Sequence, residues 1–166
     1  MTSEGDHAVQ PLHQADPALR YVFEFVVEVG STVRVGGGIG DELHFVPITG
    51  GTVRGTRLEG EVLPAGGDWW VRRSPTTIEL DAHYLVRSAE GVVIDVRNRG
   101  YYRTPTAELM ALADSGVEID PRRLYYRTSA RFQTDDSRYT WLGESIFVGL
   151  AYEDSGRVRI RFFELV

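Results

Sequence analysis

The sequence predicts an all-β protein: an antiparallel β-barrel of lipocalin- or calycin-like shape, with one short helix near residues 105–115. Three observations lead there. Runs in which apolar and polar residues alternate recur along the chain, rich in aromatic and β-branched side chains, which is how strands with one buried face read. Glycine-containing turns separate these runs and a single brief helical pattern interrupts them, as in a sandwich or closed barrel. The stretch Pro47 to Trp70 carries Gly50, Gly51, Gly55 and Gly60 and then the pair Gly66-Gly67. Glycine inside a strand marks a bulge, a bend or a close backbone approach, so this stretch reads as one strand that curls the sheet around a hollow, closed by the Gly66-Gly67 turn.

The 166 residues fit one domain. Residues 1–18 are polar, carry Pro11 and Pro17, and are expected to form a tail. Residues 19–166 form the barrel. From Leu19, Tyr21, Phe23, Phe25, Val27 and Val29 alternate with Val22, Glu24, Val26 and Glu28, a first strand. The glycine run from Val35 to Gly40 leads to Asp-Glu-Leu-His-Phe-Val-Pro rather than to a helix. A dinucleotide loop needs a strand–turn–helix setting, so this run reads as a loop at a barrel mouth. Thr77 to Arg87 and Val92 to Arg99, joined by Ser88-Ala-Glu-Gly91, form a hairpin. Thr104-Pro105 starts the helix, with Thr104 as cap and Glu108 in the first turn, and Gly116 ends it. Strands follow over Leu124 to Phe132, Tyr139 to Tyr152 and Arg157 to Val166.

Composition narrows the chemistry. The net charge of −6 comes without a basic block, which argues against a nucleic-acid partner or an anionic membrane surface. No apolar run reaches the length of a membrane span and no signal segment is evident, so a cytoplasmic protein is expected. There is no cysteine, and all eighteen basic residues are arginine. Disulfides, thiolate chemistry, Schiff bases and the phosphate-loop lysine are thereby excluded. Only His44 and His83 lie in the body, without metal-ligand spacing, and no G-x-S-x-G elbow appears. No metal and no cofactor are expected. The expected partner is a small molecule, with self-association left open.

Proton transfer and positioning remain. Asp68 follows the glycine pair beside Trp69. Desolvation there would raise its pKa and suit it to donate a proton; the other reading is a carboxylate that accepts backbone amides in a turn. Asp81 and His83 lie two apart on a strand and share a face, where a carboxylate can tune an imidazole. Because the alternate face, Ile78 to Val86, is the more apolar, the ordinary rule sends this pair to solvent; a wet lumen would reverse the parity. Asn98 continues the apolar face of Val92, Ile94 and Val96, so it must find partners or line a wet cavity. Trp69, Tyr84, Tyr101, Tyr125, Tyr126 and Trp141 offer aromatic surface for a flat ligand, or else ordinary packing. Arg127 could orient an anionic oxygen, or pair with surface acids.

The motifs Pro47-Ile-Thr-Gly-Gly51, Gly67-Asp68-Trp69, Leu80-Asp81-Ala-His83-Tyr84, Tyr125-Tyr126-Arg127-Thr128, Arg131-Phe132 and Tyr139-Thr140-Trp141-Leu142, in this order, resemble the family known as domain of unknown function 3237. The resemblance covers Leu19 to the C-terminus. It implies an antiparallel barrel with a central cavity and, from relatives in natural-product pathways, a capacity for cofactor-free ring closure. The chain departs from the family pattern at Ser74-Pro75, where Asp-Gly is usual, at His83, often arginine, and at Gly143, often asparagine.

The expected function is a cofactor-independent acid–base enzyme, a cyclase or isomerase, acting on a small apolar or aromatic molecule. Asp68, Asp81 and His83 would be catalytic, and Trp69, Tyr84, Asn98, Tyr101, Tyr125, Tyr126, Arg127 and Trp141 would bind. The alternatives are a lipocalin-like carrier and a structural β-module whose interior is filled by its own side chains.

Overall fold

A computed structural model describes residues 16–166. The expected tail therefore falls, but for residues 16–18, outside the described residues. In chain order the elements are β1 (Leu19–Val29), β2 (Val33–Gly36), β3 (Glu42–Gly55), β4 (Gly60–Ser74), β5 (Thr77–Ser88), β6 (Val93–Arg103), α1 (Ala107–Asp114), a single helical turn at Pro121–Arg123, β7 (Tyr125–Gln133), α2 (Trp141–Glu144), β8 (Phe147–Asp154) and β9 (Arg157–Leu165). The strands follow the order β1-β9-β8-β7-β6-β5-β4-β3-β2, every pair antiparallel, and β1 also pairs with β3. Eight strands thus close a barrel, which removes the open edges that an unclosed sheet would expose, and short β2 is an extra strand on β3.

The glycine-rich stretch differs from expectation in two respects. It is two strands joined at 56–59, and Gly66-Gly67 lies inside β4. The β4–β5 ladder shifts between Val62 and Gly66, a bulge that accommodates Pro64, which has no ladder N–H to donate. The bend is built on close approach. A Cβ on Gly51 would stand 2.1 Å from the Val26 carbonyl oxygen, and one on Gly66 2.1 Å from that of His83; their φ values are +141° and +101°, a region that side chains disfavour.

The segment Tyr139 to Tyr152, expected as one strand, begins instead with α2, and β8 starts only at Phe147. Leu142, 1% exposed, plugs the barrel end there, so hydrophobic burial prevails over strand propensity. The helix after Thr104 is capped by Thr106, whose hydroxyl accepts the Leu109 N–H, rather than by Thr104. The Thr104 hydroxyl donates to the Thr106 carbonyl.

Inward positions fill the two ends of the barrel differently. At the α2 end, Phe23, Phe25, Phe132, Phe147 and Phe162 pack ring against ring, Phe25 and Phe162 at 4.9 Å and Phe132 and Phe147 at 5.1 Å. Phe23, Phe25, Phe147 and Phe162 are fully buried, and clusters of this kind dominate core energetics. Nearer the other end the inward residues shrink. Register places Asp68 opposite Ala82, Ala82 opposite Asn98, and Asn98 opposite Ala130. In the next row Leu80 faces Gly100, Gly100 faces Thr128, and Thr128 faces Gly149. Small side chains there cannot fill the diameter of an eight-stranded barrel, and a hollow results.

Candidate active site in the barrel lumen

The hollow is a cavity of about 630 Å³, a size that suits a small organic molecule. Its mouth lies where β1 ends and β3 begins, and α1 covers part of it with Met110 and Ala113. Arg72 of β4 reaches across to Asp114 of α1, Nη2 to Oδ1 at 2.7 Å, and so ties the helix to the rim.

Asp68 is one of the carboxylates that line it. Ladder pairing holds Asp68 against Ala82 and resumes at Val71 with Glu79. Between these points the Asp68 Oδ1 accepts the Asp81 N–H at 2.9 Å, a side chain standing in for a ladder partner. The Asp68 pKa is raised from 3.8 to about 7, first by burial and further by the nearby Asp81 charge, while the Asp81 N–H bond works the other way. A carboxylic acid poised near neutrality can both give and take a proton at physiological pH.

Phenols and amides surround it. Tyr84 and Asn98 are 2% and 3% exposed, and Tyr102 and Thr128 each 6%. The Tyr84 and Tyr102 hydroxyls, the Asn98 Oδ1 and the Thr128 Oγ1 are buried without a hydrogen-bond partner among the described residues. Burial pushes the Tyr102 hydroxyl up to about 12, with Glu153 and Asp114 adding to it; Tyr84 and Tyr126 are raised further still, again by burial first and by Asp68 next. All three therefore stay protonated donors near neutral pH. An unsatisfied buried polar group costs roughly 1–3 kcal/mol, so a wall bearing four of them favours a guest that supplies partners. Toward the mouth the His44 ring lies parallel on Trp70, centroids 3.9 Å apart and planes 7° from coplanar, a flat surface with the Glu42 carboxylate 3.5 Å from the His44 Nε2.

The structure thus brings together in the lumen Asp68, Tyr84, Asn98 and Tyr126 of the residues expected from sequence. The others lie elsewhere, and their expected place in the cavity is corrected. Asp81 and His83 face outward: Asp81 receives both Nε and Nη2 of Arg99, at 3.0 and 2.6 Å, and the His83 Nε2 lies 2.6 Å from the Asp95 Oδ1. The reason is the parity of β5, whose apolar residues Ile78, Leu80, Tyr84 and Val86 are buried. Trp69, Tyr101 and Tyr125 are exposed on outer faces. Arg127 donates to the Tyr126 carbonyl and lies over the Tyr125 ring. Trp141 packs on Phe23 and Phe147 at the filled end, beneath the Arg57 guanidinium.

Sequence reasoning missed Trp70, Tyr102, His44, Glu153, Thr128 and Arg72, all of which line the cavity. The signal for two of them was present. Tyr102 shares the period-two parity of Asn98, and Trp70 that of Asp68, so following the inward face further along each strand reaches both.

The family model of DUF3237, a protein of unknown function, matches residues 17–165. The chain belongs to the DUF3237 family. It is 37% identical over 142 residues to a UPF0311 protein of Rhodopseudomonas palustris, an alignment covering 85% of this chain and 92% of the relative. It is 38% identical over 142 residues to one of Bradyrhizobium diazoefficiens, covering 85% and 91%. Among solved structures, the barrel is similar to a conserved R. palustris protein of unknown function, with TM-score 0.85, 33% identity, and 92% of this chain and 99% of that one covered. It also resembles a β-barrel-like protein of Acinetobacter baumannii, with TM-score 0.80, 26% identity, and 93% and 99% covered. More distant is an enzyme from Penicillium herquei, with TM-score 0.70 at 19% identity over 93% of this chain and 98% of that one; that likeness is one of fold. Among the described residues no helix is long and apolar enough to cross a membrane.

Proposed function

We propose that this DUF3237 protein is an acid–base enzyme, a cyclase or isomerase that moves a proton on a small, largely apolar molecule held in the lumen, with Asp68 as the proton-transfer group. One observation carries the reading: a carboxylate inside a hollow barrel, one oxygen held by a backbone amide and its pKa brought to about 7 by burial. Removing a proton from one atom of a bound molecule and returning it to another needs a group whose two protonation states are both populated. Tyr84 and Tyr126, kept protonated, would donate to the oxygen on which charge develops. Asn98 and Thr128 would position the bound molecule. The enzyme from Penicillium herquei supports only that such a barrel can house catalysis.

A generic substrate tests this without knowledge of the natural one. Nitrobenzisoxazole is opened by any base that takes its ring C–H proton: the electron pair forms the nitrile, the N–O bond breaks, and a coloured cyanophenolate leaves. The protein should accelerate this opening with a rate that rises as pH passes through about 7, and Asp68→Asn should lose about a hundredfold or more. The outward-facing variant Asp95→Asn should match the wild type. An unaltered rate in Asp68→Asn, or binding without acceleration as in a carrier, overturns the proposal.

A further inference from the structure

Charge inside the lumen is unbalanced. Of the eighteen arginines, Arg72 alone lines the cavity, and it is engaged by Asp114. Four carboxylates line it: Glu42, Asp68, Asp114 and Glu153. Asp114 pairs with Arg72, and Glu42 with Arg34, Nε to Oε1 at 2.5 Å. Asp68 and Glu153 have no cationic partner among the described residues; Glu153 is exposed at the end of β8, where partial desolvation and the neighbouring Glu118 charge raise its pKa, and burial raises that of Asp68. Both charges act on the Tyr126 hydroxyl, and Glu153 acts on Tyr102 as well. The same lining includes the Trp70, Tyr102 and Tyr126 rings and the orphaned Tyr102, Asn98 and Thr128 oxygens. Among the described residues no three histidine or carboxylate side chains converge as metal ligands. Asp68 and Glu153 are thus left without a cation, and aromatic faces beside a carboxylate are how proteins hold an organic ammonium group.

Resting on the reading of the lumen as the ligand site, we propose that the ligand is a small aromatic amine, its ammonium seated by Glu153 against the Tyr102 and Tyr126 rings and its ring directed inward toward Asp68. Anionic ligands are excluded by the same carboxylates. The arrangement gives orientation: the charged end stays at the rim, and the neutral end reaches the proton-transfer group.

Three probes that share one phenol ring separate charge from shape: tyramine (ammonium), tyrosol (neutral alcohol) and para-hydroxyphenylacetate (carboxylate). Binding to the full chain at neutral pH is read by calorimetry and by competition with nitrobenzisoxazole opening. Tyramine should bind about tenfold more tightly than tyrosol, and the carboxylate more weakly than either. Glu153→Gln should remove the tyramine preference while tyrosol affinity holds, an internal check that the variant is folded. Equal affinities for tyramine and tyrosol, tighter binding of the carboxylate, no binding of any probe, or a preference that survives Glu153→Gln overturns the proposal. If wild-type protein still opens nitrobenzisoxazole in any of these cases, only the amine assignment falls; if it does not, the acid–base reading falls with it.

Discussion

Replacing Asp68 by asparagine should make the protein more stable, by an amount that grows as pH rises from about 4 to about 7. Asparagine is nearly isosteric and keeps an oxygen for the Asp81 N–H that Asp68 now accepts; what it removes is a buried charge. The unfolded chain ionises Asp68 near 3.8, and the folded chain near 7. Below pH 3.8 both states hold the proton and the residue is neutral in its effect. As pH rises from there the unfolded chain ionises first, so stability falls until the folded carboxyl also ionises near 7, and is level beyond it. Each tenfold shift in ionisation is worth about 1.4 kcal/mol, which sets a ceiling of about 4 kcal/mol. The cavity opens to water, and solvation there leaves about 2 kcal/mol. For a chain of this length that raises the melting temperature by about 4–8 °C at pH 8, and leaves it nearly unchanged at pH 4. Thermal and urea unfolding of both proteins at pH 4, 6 and 8 measure it. A variant that is less stable than wild type at pH 8, or whose advantage does not grow between pH 4 and 8, refutes the account of a desolvated lumen acid.

Two further outcomes follow from the same geometry. Because the Asp81 charge helps to raise Asp68, Asp81→Asn should move the pH midpoint of nitrobenzisoxazole opening downward, although its side chain lies outside the barrel; an unmoved or raised midpoint contradicts this. Gly51→Ala sets a Cβ 2.1 Å from the Val26 carbonyl oxygen at a φ of +141°, so it should cost about 2 kcal/mol or more in urea unfolding, and a loss below about 0.5 kcal/mol would show that β1 and β3 can part there without consequence.

Much of the barrel was legible because alternation is a local property. Tyr84 and Asn98 announce their inward direction through the apolar neighbours two residues away, and the apolar parity that sends Asp81 and His83 outward was visible in the same strand. Choosing between a filled and a hollow interior was harder. The cavity arises where Ala82, Ala130, Gly100 and Gly149, on four different strands, fall into adjacent rows, and register across non-adjacent segments is not written in any one segment. Glu153 escaped notice for a similar reason: within its own strand it looks like a terminal charged residue, and it faces the lumen only because β8 keeps the parity of Phe147 and Ala151 to its end. Tyr125 and Tyr126 show the opposite limit. Adjacent tyrosines on a strand must part company, and the sequence does not say which is inside until the pairing of Tyr126 with Tyr102 is known.

The clasp between Arg72 and Asp114 gives the barrel two ends of unlike character. The floor is a block of phenylalanine rings that dissolved ions leave untouched. The entrance is fastened by one ion pair whose side chains are 23% and 49% exposed, open to counter-ions that damp such attractions over about 8 Å in physiological brine. Concentrated salt therefore loosens the tie between α1 and the rim, while the packed phenylalanine floor keeps its shape.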